Sequence, residues 1–120
     1  MKKSLMLGAL LVAVGLLFFG CDTGSAPTTP ELFGPDTAGV GDTVTFRVWS
    51  SDADDDYISF WIVWGDTTSP GWSPYFSMLD TVERKHVFAD PGDYGITARA
   101  QDLSGKDSDW SDTLRITITP

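Results

Sequence analysis

Between Tyr57 and Asp66 the chain reads YISFWIVWGD, a run of large side chains that alternates with a period of two and stops at a Gly-Asp turn. In an extended segment this alternation places Ile58, Phe60, Ile62 and Trp64 on one face and Tyr57, Ser59, Trp61 and Val63 on the other. The segment therefore reads as a central strand. Burying its four-residue face contributes about 1.5–3 kcal/mol per side chain, the strongest local contribution to folding in the chain. Everything beyond Gly20 must cover that face.

The flanking segments have the same period. Thr43 to Ser51 sets Val44, Phe46 and Val48 against Thr45, Arg47 and Trp49, which predicts a second half-buried strand. Tyr94 to Gln101 sets Tyr94, Ile96, Ala98 and Ala100 against Thr97, Arg99 and Gln101, and Thr113 to Thr119 carries Leu114, Ile116 and Ile118 on one side. Tyr75 to Leu79 and Thr81 to Phe88 read as two further strands, the second closed by the turn Ala89-Asp90-Pro91-Gly92. Glu31 to Pro35, bounded by prolines that cannot donate to a ladder, suits an edge strand, and Gly39 to Asp42 suits a turn. Asp52 to Asp56 is an acidic loop, Thr67 to Pro74 a loop holding Trp72, and Asp102 to Asp112 a polar stretch interrupted by Trp110. No helical period follows Cys21. About seven short strands at intervals of roughly 8–12 residues predict an all-β, seven-stranded antiparallel sandwich of two sheets. The small Ala98 and Ala100 leave room for bulky partners such as Phe60 and Trp64.

The N-terminal region belongs to a different class of sequence. Lys2 and Lys3 precede an apolar run from Leu5 to Phe19 that ends at Gly20-Cys21, the form of a secretory signal helix and too short for a membrane span. Leu17-Phe18-Phe19-Gly20-Cys21 resembles the lipobox of bacterial lipoproteins, with Phe18 where Leu is usual. The resemblance implies a lipoprotein signal peptide over 1–20 and lipidation of Cys21, hence a partner membrane reached through a lipid anchor. Residues 21–30, rich in Thr, Gly, Ser and Pro, read as a flexible tether, and residues 31–120 as one domain. Cys21 is the only cysteine, so no intramolecular disulfide forms and stability comes from the core. Loss of Lys2 and Lys3 leaves 6 basic against 17 acidic residues, a balance of −11 that repels nucleic acid.

Trp64-Gly65-Asp66, His86-Val87-Phe88, Asp90-Pro91-Gly92-Asp93-Tyr94, Ala100-Gln101-Asp102 with Gly105, and Trp110-Ser111-Asp112 occur in this order along the chain. From about Pro30 to Thr119 the chain is similar to polycystic kidney disease (PKD)-type immunoglobulin-like domains of bacterial surface proteins. Thr67 stands where the family's Gly-Asp-Gly turn has its second glycine, and Asp54-Asp55-Asp56 stands where relatives often have a glycine before the last aspartate. The resemblance implies an extracytoplasmic spacer or adhesion module in the cell envelope, periplasmic or at the cell surface, without catalysis and with no ligand specified.

Few residues point to chemistry. Asp52, Asp54 and Asp56 have the D-x-D-x-D spacing that opens an EF-hand loop, but Tyr57 and Val63 occupy the places of its glycine and bidentate glutamate. A looser Ca²⁺ site, with Asp66 or Asp102 added, is the remaining metal reading, and no other cofactor is implied. His86 is the only histidine, too few for a zinc site or for more than one triad, and no G-x-S-x-G elbow accompanies it. A packing role beside Trp64 or Phe88 is expected of it. Tyr57, Trp61, Trp72 and Tyr75 are the candidate binding residues, because rings on an outer face can stack on sugars or anchor an envelope protein. The expected function is lipid-anchored display or protein and glycan binding, with a carbohydrate-binding module as the alternative.

Overall fold

The alternating segments form eight strands in a computed structural model that describes residues 24–54, 57–68, 70–77 and 81–120. They are β1 (Glu31–Phe33), β2 (Thr37–Gly39), β3 (Thr43–Trp49), β4 (Tyr57–Val63), β5 (Phe76–Ser77), β6 (Val82–Val87), β7 (Gly92–Asp102) and β8 (Leu114–Thr119). A three-stranded sheet has the order β1-β3-β6, and a five-stranded sheet the order β2-β8-β7-β4-β5. Cys21 and the segment expected to be a signal peptide lie outside the described residues.

The all-β sandwich is the fold expected, with two differences. An eighth strand, β2, pairs with β8 in parallel, Ala38 opposite Ile118, where seven antiparallel strands were expected. Its cause lies at Gly34-Pro35. A Cβ on Gly34 would stand 2.4 Å from Cδ1 of Phe46, so only glycine lets the chain pass this close over the core ring. Pro35 then ends pairing with β3, and the chain crosses to the other sheet. The second difference is at residues 24–30, expected as part of a free tether. Pro27 and Pro30 are buried, the Thr28 N–H donates to the Ser51 carbonyl at 2.7 Å, and the Ser50 hydroxyl donates to the Thr28 carbonyl at 2.6 Å. Prolines with apolar rings and a threonine able to bond both ways suit docking along Ser50–Asp54, so the domain begins by Gly24.

The inward faces form one core. Ile58, Phe60, Ile62 and Trp64 are all buried, as are Val44, Phe46 and Val48 of the facing sheet. Ala98 and Ala100 are fully buried and sit beside Ile62 and Phe60 in the ladder, so small and large side chains alternate across the sheet. Five rings run through the core in succession. Phe46 lies 5.2 Å from Trp64, Trp64 stacks on His86 at 4.4 Å and 5°, His86 meets Phe88 edge-on at 4.7 Å, and Phe88 lies 4.6 Å from Tyr94. The succession passes back and forth between the sheets. Gly65 follows with φ +86°, and a Cβ there would meet the Gly95 carbonyl oxygen at 2.6 Å. This is the turn that directs Trp64 inward.

Removing the buried Trp64 indole leaves both a lost transfer term and a cavity. Trp64→Ala is expected to cost about 3–5 kcal/mol, and Thr117→Ser, which keeps the exposed hydroxyl on Asp93, less than about 0.5. Urea denaturation checks this: similar midpoints for the two variants would mean that Trp64 is not part of the core.

Candidate functional site

The outer face of the five-stranded sheet carries the aromatic candidates. β4 and β7 lie side by side with Trp61 opposite Arg99. Each has an edge that the neighbouring strand covers only in part, and in both cases a serine loop covers the remainder. Along β4, Ser73 accepts the Phe60 N–H on its hydroxyl at 2.9 Å and donates its own N–H to the Phe60 carbonyl at 2.8 Å. Along β7, Ser108 and Ser111 make the same two-way contacts with Ala100 and Ala98. These two loops carry Trp72 and Trp110.

The result is a row across the sheet. Trp72 meets Trp61 edge-on, centroids 5.5 Å apart and planes at 77°. Arg99 lies next to Trp61 in the ladder and holds its guanidinium 5.0 Å over the Trp110 ring, with Nη2 and Nε donating to the Ser108 carbonyl at 3.1 and 3.3 Å. Beside the row, Tyr75 donates its hydroxyl to the Asp102 carbonyl at 3.1 Å, and Gln101 donates to Asp107 at 2.9 Å. Tyr57, Tyr75 and Trp110 are exposed, whereas Trp61 and Trp72 are half-buried against one another. The expected platform of Tyr57, Trp61, Trp72 and Tyr75 is thus brought onto one side of the molecule, but its centre is partly covered. Trp110 and Arg99 complete it. In the sequence Trp110 only interrupts a polar stretch, and the signal for its position is the pair of serines three apart that dock its loop.

Around the core end of β4, Asp66 and His86 form a second cluster. Asp66 takes the His86 Nε2 at 2.7 Å and the Thr68 N–H at 2.9 Å. Burial raises the Asp66 pKa, but hydrogen bonds from the Thr68 hydroxyl, from His86 and from the Thr68 N–H, together with the His86 charge, outweigh it and hold the carboxyl below its ordinary value. A cleft of about 380 Å³ opens beside this cluster, lined by Phe60, Trp64, Trp72, Arg84 and His86 among others. The His86 ring is stacked on Trp64, meets Phe88 edge-on and is bonded to Asp66 at Nε2, which suits a packing role.

The acidic loop turns its carboxylates onto the backbone. Asp52 is buried and accepts the Asp54 N–H at 2.8 Å, and Asp54 accepts the Ser25 N–H at 2.6 Å. Asp102, fully buried, accepts the Ser104 N–H and hydroxyl and the Lys106 N–H. Burial raises its pKa, and these bonds with a further one from Asp52 bring it below the ordinary value. Among the described residues no three His, Cys, Asp or Glu side chains are grouped to hold a metal. Asp56 lies outside them.

A family model for the PKD domain matches residues 24–118. The chain belongs to the PKD-domain family. Of solved structures, the PKD domain of an M14-like peptidase from Thermoplasmatales archaeon SCGC AB-540-F20 is 26% identical, with a TM-score of 0.76 over 82% of this chain and 100% of that one. The PKD domain of the human VPS10 domain-containing receptor SorCS2 is similar in fold, with a TM-score of 0.57 at 16% identity over 82% of this chain and 78% of that one. No curated protein matches significantly. A PKD domain is a non-catalytic immunoglobulin-like module, often found in extracellular proteins. Its start at residue 24 in the family match agrees with the docking of Gly24 to Pro30 on the sandwich. In this PKD domain the Trp64-Gly65-Asp66 motif is structural: tryptophan for the core, glycine for the turn, aspartate for His86.

The lowered pKa of Asp66 sets a sign for acid stability. Its contribution is present above the ordinary carboxylate value of about 4 and is lost as pH falls through the lowered native value. Asp66→Asn is therefore expected to be less stable than the native chain at pH about 6, with the gap closing on acidification. Urea midpoints of both proteins across that range measure it, and a gap that stays constant would contradict the assignment.

Proposed function

We propose that this PKD domain is the extracytoplasmic part of a bacterial lipoprotein, anchored through Cys21, that presents a binding face to an envelope protein or glycan and performs no catalysis. The observation that carries the binding role is the row Trp72, Trp61, Arg99 and Trp110, with Tyr57 and Tyr75 on the same side of the molecule. Rings held by a rigid sheet lose little conformational freedom when a partner stacks on them. The exposed rings beside and at the end of the row, Tyr57, Tyr75 and Trp110, add apolar surface to an otherwise strongly acidic module, which supports a use for that face. Support for the anchor is the lipobox-like Gly20-Cys21 at the end of an apolar run.

A carbohydrate-binding role is the second reading. It is favoured by the exposed rings of Tyr75 and Trp110 at either side of polar Gln101 and Asp107, an arrangement of stacking surfaces with hydrogen-bonding groups between. The half-covered Trp61 and Trp72 contribute less to such stacking, so the exposed rings are the informative ones to remove.

Two measurements test the proposal. Mass spectrometry of the mature N-terminal peptide is expected to show diacylglyceryl on Cys21, and Cys21→Ser to leave an uncleaved or soluble product that carries no lipid; an unmodified cysteine would remove the anchor. Trp110→Ala and Tyr75→Ala are expected to weaken retention on isolated cell-wall glycan or on a partner from the same envelope while leaving the unfolding midpoint nearly unchanged. Trp61→Ala is expected to lower both, because the ring is partly buried against Trp72. Unchanged retention in both exposed-ring variants would take the row out of the function.

A further inference from the structure

We infer that the end of the sandwich formed by Gly24, Asp54 and the turn Leu103–Lys106 is a membrane-apposed surface, held against the headgroups of a zwitterionic bilayer by the lipid on Cys21. The inference rests on the lipid-anchor reading above. A free tether of ten residues would let the domain move through several nanometres of space above the lipid. Here the chain is already fastened at Gly24, whose carbonyl takes the Lys106 ammonium, and at Ser25, whose N–H donates to Asp54. Thr28 continues the attachment, bonding Ser51 through its N–H and hydroxyl and Ser50 through its carbonyl. Only Asp22 and Thr23 separate Gly24 from Cys21, and three peptide steps reach at most about 11 Å.

The end so placed has a feature that suits lipid. Leu103 is 55% exposed, the most exposed of the large apolar side chains among the described residues, and it occupies the turn whose Lys106 reaches Gly24. An apolar side chain at a turn tip can enter the headgroup region once the tether brings it there. Asp54 and the overall acidic balance repel anionic headgroups, so a zwitterionic surface is the partner this end fits. The chain enters β4 from this end, while β3 and β7 run toward it, which puts the turns at Asp42 and Asp90 at the far end. The row of Trp72, Trp61, Arg99 and Trp110 then lies on a side wall, while Tyr57 at the start of β4 and Tyr75, bonded to the Asp102 carbonyl, stand at its lipid-facing edge.

The test uses the full lipidated protein, labelled with ¹⁵N, in phosphatidylcholine nanodiscs containing a lipid with a gadolinium-chelating headgroup. Amide signals of Gly24, Leu103 and Gly105 are expected to be lost, and those of Asp42, Asp90 and Gly92 to be kept. Inserting ten Gly and Ser residues between Thr23 and Gly24 is expected to restore the lost signals. Mass spectrometry of the N-terminal peptide is read on the same sample. Diacylglyceryl on Cys21 with even broadening, or with broadening of the Asp42 and Asp90 turns, would overturn the inference and leave the anchor standing; an unmodified cysteine would overturn both.

Discussion

The fold depends on a contact between one indole and one imidazole. Trp64 leaves the five-stranded sheet, His86 belongs to the three-stranded sheet, and their rings stack at 4.4 Å with planes 5° apart. Gly65 turns the chain so tightly that Trp64 points inward, and Asp66, one residue on, reaches His86 at 2.7 Å and fixes its orientation. Three consecutive residues thus place a ring, set its angle and hold its partner. Phe46 on one side and Phe88 with Tyr94 on the other extend the stack through the core, so a sandwich without a disulfide is fastened by rings from both sheets.

The other face of the same strand has a different use. Because side chains alternate, residues that build the core leave Tyr57, Trp61 and Val63 on the outside at no cost to the interior. The loops that carry Trp72 and Trp110 are there for a backbone reason: parts of β4 and β7 have no neighbouring strand, and the serines of these loops satisfy the N–H and C=O groups left over. Covering two open edges brings two tryptophans toward the sheet centre, one against Trp61 and one under Arg99. The candidate binding row is in this sense a by-product of edge protection, available to be used by a partner.

The core was legible in the sequence because period two is unambiguous in long alternating runs: every residue assigned inward on β4 and β3 is buried. Short or irregular pieces were not. β2 has three residues, two of them Ala and Gly, and its parallel pairing depends on a crossing at Gly34 that no local pattern announces. Residues 24–30 have the composition of a linker, yet Pro27 and Pro30 are buried and Thr28 bonds to Ser50 and Ser51 over a separation of more than twenty residues. Of the site, the aromatic residues could be named from their strand face, but their mutual cover could not, since it is set by where the serine loops return. Likewise the D-x-D spacing of the acidic loop does not announce that Asp52 accepts the Asp54 N–H and Asp54 the Ser25 N–H, since the second bond depends on where residues 24–30 dock.

The central claim is that the two sheets are one cooperative unit because the ring stack joins them. Native-state hydrogen exchange tests it most directly, by comparing the slowest amides of β3 and β6 with those of β4 and β7. Equal opening free energies in the two sheets, falling together when His86 is replaced by alanine, are the expected result. A three-stranded sheet that opens at lower free energy than the five-stranded one, with β4 and β7 unaffected by His86→Ala, would contradict it.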